Sequence, residues 1–119
     1  MIEISKPLPD SKPGLTTTHD IFLDGKRIGY VEVTYLQEDD VKAFKKYAKR
    51  KLFAGQPYST RIFIDAKGNH ITSSELGKSG LSEIVAAAKE KFTGLEDRDI
   101  YLLELTDVGK KIICRASEL

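Results

Sequence analysis

The stretch that most restricts the fold is residues 21–35, IFLDGKRIGYVEVTY. Asp24-Gly25 stands between two runs rich in β-branched and aromatic residues. A two-residue Asp-Gly connection favours a type I′ turn, because both central positions need positive φ. Behind the turn, Val31, Val33 and Tyr35 alternate with Tyr30, Glu32 and Thr34. That period of two marks a strand with one buried face. A β-hairpin over residues 18–36 is therefore expected, with Gly29 as a bulge position. A lone hairpin is marginal in water, so the rest of the chain must cover its apolar face.

Two amphipathic helices are expected to do so. Residues 39–53, DDVKAFKKYAKRKLF, place Val41, Phe44, Ala48 and Leu52 on one side of a helix, flanked by Tyr47. The other side carries Lys42, Lys46, Lys49 and Arg50, with Lys45 at the border. Asp39 or Asp40 caps the start, and Gly55 and Pro57 stop the helix. The second helix runs from Ser79 or Gly80 to Phe92, with Leu81, Ile84, Val85, Ala88 and Phe92 as its buried stripe. Just before it, Thr72 and Glu75 have capping-box spacing and Gly77 closes a single helical turn.

Strands are expected at residues 1–4, 59–65, 100–105 and 111–116, and His70-Ile71 pairs back after a turn over 66–69. Residues 6–14, KPLPDSKPG, are too rich in proline for a regular element. The element order is ββ-α-β-α-ββ. The expected fold is α+β, a single domain in which a mostly antiparallel sheet of five or six strands carries two amphipathic helices. Residues 1–17 form an extended arm with a candidate edge strand, and residues 18–119 form the compact domain.

The 119 residues suffice for one core and not for two. With 19 basic and 18 acidic residues the net charge is +1, so binding to nucleic acid would rest on a local patch. Cys114 is the single cysteine and excludes an internal disulfide, which fits a reducing compartment. The start MIEISKPLPD lacks the apolar core of a signal peptide, and no apolar run is long enough to span a bilayer. A soluble, cytoplasmic protein without membrane contact is expected.

Chemical motifs are sparse. Gly77-Lys78-Ser79 resembles the end of a phosphate-binding P-loop, but the glycine required five residues earlier is Thr72. What is left is a candidate anion site at a helix N-terminus, formed by Lys78, Ser79 and Gly80. His19 and His70 belong to no metal-ligand spacing and are expected to be solvated. Cys114 is expected to face the same way as Ile112, as a buried and inert thiol. Glu32, Asp65 and Glu104 sit on expected strands, with Glu32 and Glu104 facing solvent. No catalytic residue, metal or cofactor is assigned.

The hairpin IFLDGKRIGYVEVTY is similar to the central hairpin of GNAT-type acyltransferases. STRIFID, ELGKSGLSEIVAAAKEKF and DIYLLEL look like the strand, acyl-CoA-binding helix and following strand of that family. The resemblance implies a pyrophosphate-binding loop at Ser74-Glu75-Leu76-Gly77-Lys78-Ser79, where only Gly77 fits the family pattern Arg/Gln-x-x-Gly-x-Gly/Ala. The helix at 39–53 would be an insertion. A divergent or degenerate acyltransferase is thus one functional alternative.

The expectation drawn first is a small intracellular, non-enzymatic binding or regulatory protein acting through protein–protein contacts. A viral or mobile-element accessory factor fits the size and the lack of motifs. The expected contact residues are Lys42, Lys45, Lys46, Lys49 and Arg50, a cationic face suited to an acidic partner protein. The same face could instead hold nucleic acid, which is the second alternative.

Overall fold

The computed structural model describes residues 1–69 and 71–119, so the expectations for His70 lie outside the described residues. It is one α+β domain built on a six-stranded sheet in the spatial order of the sequence. The strands are β1 (Ile2–Ile4), β2 (Thr16–Leu23), β3 (Lys26–Tyr35), β4 (Pro57–Asp65), β5 (Ile100–Thr106) and β6 (Gly109–Arg115). β4 and β5 run parallel, and the other neighbours are antiparallel. A parallel pair needs a crossover connection. Here α3 (Ser73–Lys91) provides it, preceded by one helical turn, α2 (Ala66–Asn69).

The β2–β3 hairpin forms as expected. Asp24 and Gly25 take φ of 50° and 83°, the positive pair that a type I′ turn requires. The bulge falls one residue from the expected place. Ile21 pairs with Gly29 and Phe22 with Arg27, so Ile28 is the extra residue. Gly29 has a different role. A Cβ added there would stand 1.9 Å from the carbonyl oxygen of Phe63 on β4.

One face of the sheet carries the core. Ile21, Val31, Val33, Ile62, Ile64, Ile100 and Leu102 meet Leu81, Ile84, Val85 and Ala88 of α3 and its C-cap residue Phe92. The expected stripe of this helix is thus buried in full, each large side chain contributing about 1.5–3 kcal/mol. The helix is broken where expected. Thr72 Oγ1 accepts from the Glu75 N–H, and Gly77 interrupts the helix with φ 69° and ψ 175°. Among the described residues, no long helix packs on the opposite face. Phe63 is nonetheless buried, because Tyr30 stacks on it at 4.7 Å and Lys110 reaches over its ring at 5.3 Å.

The N-terminal residues lie along β2. β1 pairs with the end of that strand, and the Ser5 and Leu8 N–H groups donate to the carbonyls of Asp20 and Thr18.

Three expectations need correction. His19 is buried, at 2% exposure, because β2 presents Thr17, His19 and Ile21 to the core side. Glu104 is buried too, since it shares the facing of Leu102, and it accepts from the Ser73 N–H at 2.7 Å. Cys114 and Ile112 do not face the same way. β5 pairs Leu102 with Cys114 and Leu103 with Ile112, so Ile113 is bulged out and the alternation shifts. Cys114 packs partly buried against the core, and burial pushes its thiol pKa up, which keeps it protonated.

A cationic, aromatic lobe between β3 and β4

Between β3 and β4 the chain leaves the sheet and returns. The excursion is closed at its neck. Leu36 N–H donates to the Gln56 carbonyl at 2.8 Å, and Gly55 N–H donates back to the Leu36 carbonyl at 2.7 Å. Leu36 itself is buried.

The helix expected over 39–53 is shorter. α1 spans Glu38–Phe44, and two further backbone bonds to the Phe44 carbonyl carry turns only as far as Ala48. Its N-cap is Gln37, whose N–H donates to the Asp40 carboxylate at 3.0 Å. Two causes explain the early stop. α1 has no buried residue, so its apolar stripe gains no core contact, and helices of this length need such contact. Lys42, Lys45, Lys46 and Lys49 also stand three or four residues apart, where like charges oppose the helix.

Arg50 then turns inward. Its Nη2 donates to Asp99 Oδ1 at 2.6 Å, and its Nη1 lies 2.7 Å from Glu96 Oε2. Asp99 is itself buried and accepts the Glu96 N–H through its other oxygen. The Asp99 hydrogen bond, more than any other contact, raises the Arg50 pKa further. Arg50 therefore ties the lobe to the 3₁₀ turn Asp97–Asp99 ahead of β5.

The other expected contact residues stay together on the outside. Lys42, Lys45, Lys46 and Lys49 are all exposed, and Lys51 joins them. Sequence reasoning missed the lobe's aromatic residues, because it assigned Phe44 to a buried stripe and Tyr47 to its flank. Phe44, Tyr47 and Phe53 are 43, 81 and 55% exposed. Phe44 leans toward Tyr58 at 6.4 Å between ring centres, and Lys51 Nζ lies 5.2 Å from the Phe53 ring. Beside them is a cleft of about 420 Å³ lined in part by Leu36, Phe44, Tyr47, Leu52 and Tyr58. A second, of about 540 Å³, opens between Phe53, Pro57 and Gly94. The lobe thus combines recesses of mixed polar and apolar lining with exposed ammonium groups that form no ion pair among the described residues, which suits a ligand that is both anionic and apolar.

The remaining candidates are dispersed. Lys78, Ser79 and Gly80 form the first turn after the Gly77 break, with Lys78 and Ser79 exposed. Glu104 lies on the opposite face of the sheet from Glu32 and Asp65. Asp65 holds Arg27 at 3.0 Å and accepts the Gly68 N–H at 2.8 Å, and these contacts take its pKa below the usual range despite partial burial. Among the described residues no cluster of His, Cys, Asp and Glu could hold a metal ion.

His19 sits in a directional chain of hydrogen bonds. Its Nδ1 meets the Ser5 carbonyl at 2.8 Å, and a carbonyl can only accept, so Nδ1 carries the proton. In the neutral ring Nε2 then accepts from Thr17 Oγ1 at 2.9 Å, and Thr17 accepts from the Tyr35 hydroxyl at 3.0 Å. Burial lowers the His19 pKa, partly opposed by the Ser5 carbonyl and reinforced by Lys91.

No family model matches this chain, and neither a curated protein nor a solved structure matches it at a significant level. No helix among the described residues is long and apolar enough to cross a membrane.

Proposed function

We propose that this is a cytoplasmic, non-enzymatic binding protein with a regulatory role, and that the lobe over residues 37–55 receives an acidic segment of a partner protein. One observation carries the reading. Phe44, Tyr47 and Phe53 stand in water next to exposed Lys42, Lys45, Lys46, Lys49 and Lys51. Exposed aromatic side chains are costly to solubility and are enriched at interfaces. The lysines steer an anionic partner and reject basic ones, while the recesses supply the affinity that surface charge alone does not. Arg50 is assigned a different part, holding the lobe on the body through Asp99.

The test is a pull-down from the native host with three baits: the native chain, Lys46→Glu/Lys49→Glu, and Phe44→Ser/Tyr47→Ser. The expected result is a prey protein with an acidic segment that both variants lose. A parallel titration with single-stranded DNA and RNA separates the nucleic-acid reading. Affinity for either that falls steeply with salt, and that the lysine reversal abolishes, would favour that reading instead. Identical prey for all three baits would show that the lysines are merely solvated, and would overturn the proposal.

A further inference from the structure

The face of the sheet opposite α3 ends at β6, which pairs with β5 and, among the described residues, with no other strand. The register fixes which β6 side chains reach that face. Tyr101 pairs with Arg115, Leu103 with Ile112 and Leu105 with Lys110. Arg115 lies over the Tyr101 ring at 5.1 Å, and Lys110 lies over Phe63. Between the two cations Ile112 is 75% exposed. It borders a recess of about 400 Å³ with Ser59, Arg61, Tyr101 and Leu103. Ile112, the recess beside it and the two flanking cations together give this edge strand a surface of mixed apolar and cationic character.

We propose that the β6 edge docks an extended acidic segment of another protein, which adds as a seventh strand. Side chains on one face of a strand recur every second residue. The three β6 positions on that face therefore ask for an acid–x–apolar–x–acid pattern. The acids lie opposite Lys110 and Arg115, and the apolar residue covers Ile112 and the recess. Backbone pairing supplies affinity and the alternating side chains supply specificity. The cations also select the occupant. A second copy of this chain would bring Lys110, Lys111 and Arg115 against their own kind, so they disfavour self-pairing and leave an acidic strand as the complementary guest. This site does not depend on the lobe.

The probe is a fluorescent peptide, Thr-Glu-Thr-Val-Thr-Glu-Thr, measured by anisotropy and by amide exchange of the protein. Binding is expected to slow exchange along residues 110–114. Lys110→Glu/Arg115→Glu and, separately, Ile112→Asp are each expected to weaken it by roughly tenfold or more. Lys6→Glu, at an exposed lysine of the N-terminal arm away from β6, is expected to leave it unchanged. Two altered peptides make the test independent of protein folding. Lysine in place of both glutamates, or N-methylation of alternate amides, should abolish binding. Equal binding of the lysine peptide, or indifference to the β6 variants, would overturn the proposal. So would sedimentation showing that the chain dimerises through Ile112, because the occupant would then be a second copy.

Discussion

Among the glycines, Gly29 is the one where an added methyl meets the closest neighbour. The new Cβ would lie 1.9 Å from the Phe63 carbonyl oxygen, 3.0 Å from its carbonyl carbon and 3.3 Å from the Asp65 nitrogen. All three are backbone atoms, so no side chain can swing away. Ordinary contact requires β3 and β4 to part locally by roughly 1 Å or more. That movement strains the Gly29–Ile64 pairing at the centre of the sheet. Overpacking typically costs about 1–3 kcal/mol, and each weakened hydrogen bond adds about 0.5–1.5 kcal/mol. The expected loss is about 3–5 kcal/mol, read by urea denaturation as a lower midpoint at unchanged slope. Gly14→Ala is the control. Gly14 has φ 79° and open space around its missing side chain, so only the backbone penalty of about 1–2 kcal/mol applies. If Gly29→Ala unfolds within 1 kcal/mol of the native chain, or no more easily than Gly14→Ala, the close approach of the two strands is refuted.

Arg50→Met is expected to cost about 3–5 kcal/mol, because it leaves the buried Asp99 carboxylate without its cation. Adding Asp99→Asn should recover more than half of that, and trypsin should cut the lobe lysines faster in the single variant; a single variant as stable as the native chain would refute the anchoring role. His19, its pKa depressed by burial, stabilises the fold fully above its unfolded pKa of about 6.5. That contribution is lost as pH falls through the lower folded value. Denaturation at pH 8 to pH 5 should therefore show a steeper decline in the native chain than in His19→Gln, and parallel curves would refute the neutral, buried imidazole.

Some of this structure is legible residue by residue. Asp24-Gly25 reads as a type I′ turn because the dihedral preference belongs to those two residues alone. The stripe from Leu81 to Phe92 reads as the buried face of α3, and Gly77 reads as its break, for the same local reasons. The candidate lobe was legible as a cationic stretch, and four of its lysines remain exposed together. Its aromatic half was not. The periodicity of residues 39–53 states which side chains can share a helix face, but it does not state whether a core meets that face.

The sequence by itself determined the turns, the alternating strands, the main helix and the location of concentrated positive charge, since each follows from a short window of residues. Only the tertiary structure decided that α1 ends at Phe44 and leaves Phe44, Tyr47 and Phe53 in water. It also decided that Arg50 turns in to Asp99 and that His19 is buried. The bulge at Ile113, which puts Cys114 on the core side while Ile112 faces the other way, was likewise settled there. Each of these depends on a partner distant in sequence or on the register between two strands. Burial, ion pairing and register are properties of pairs brought together by the fold, and a local pattern contains only one member of each pair.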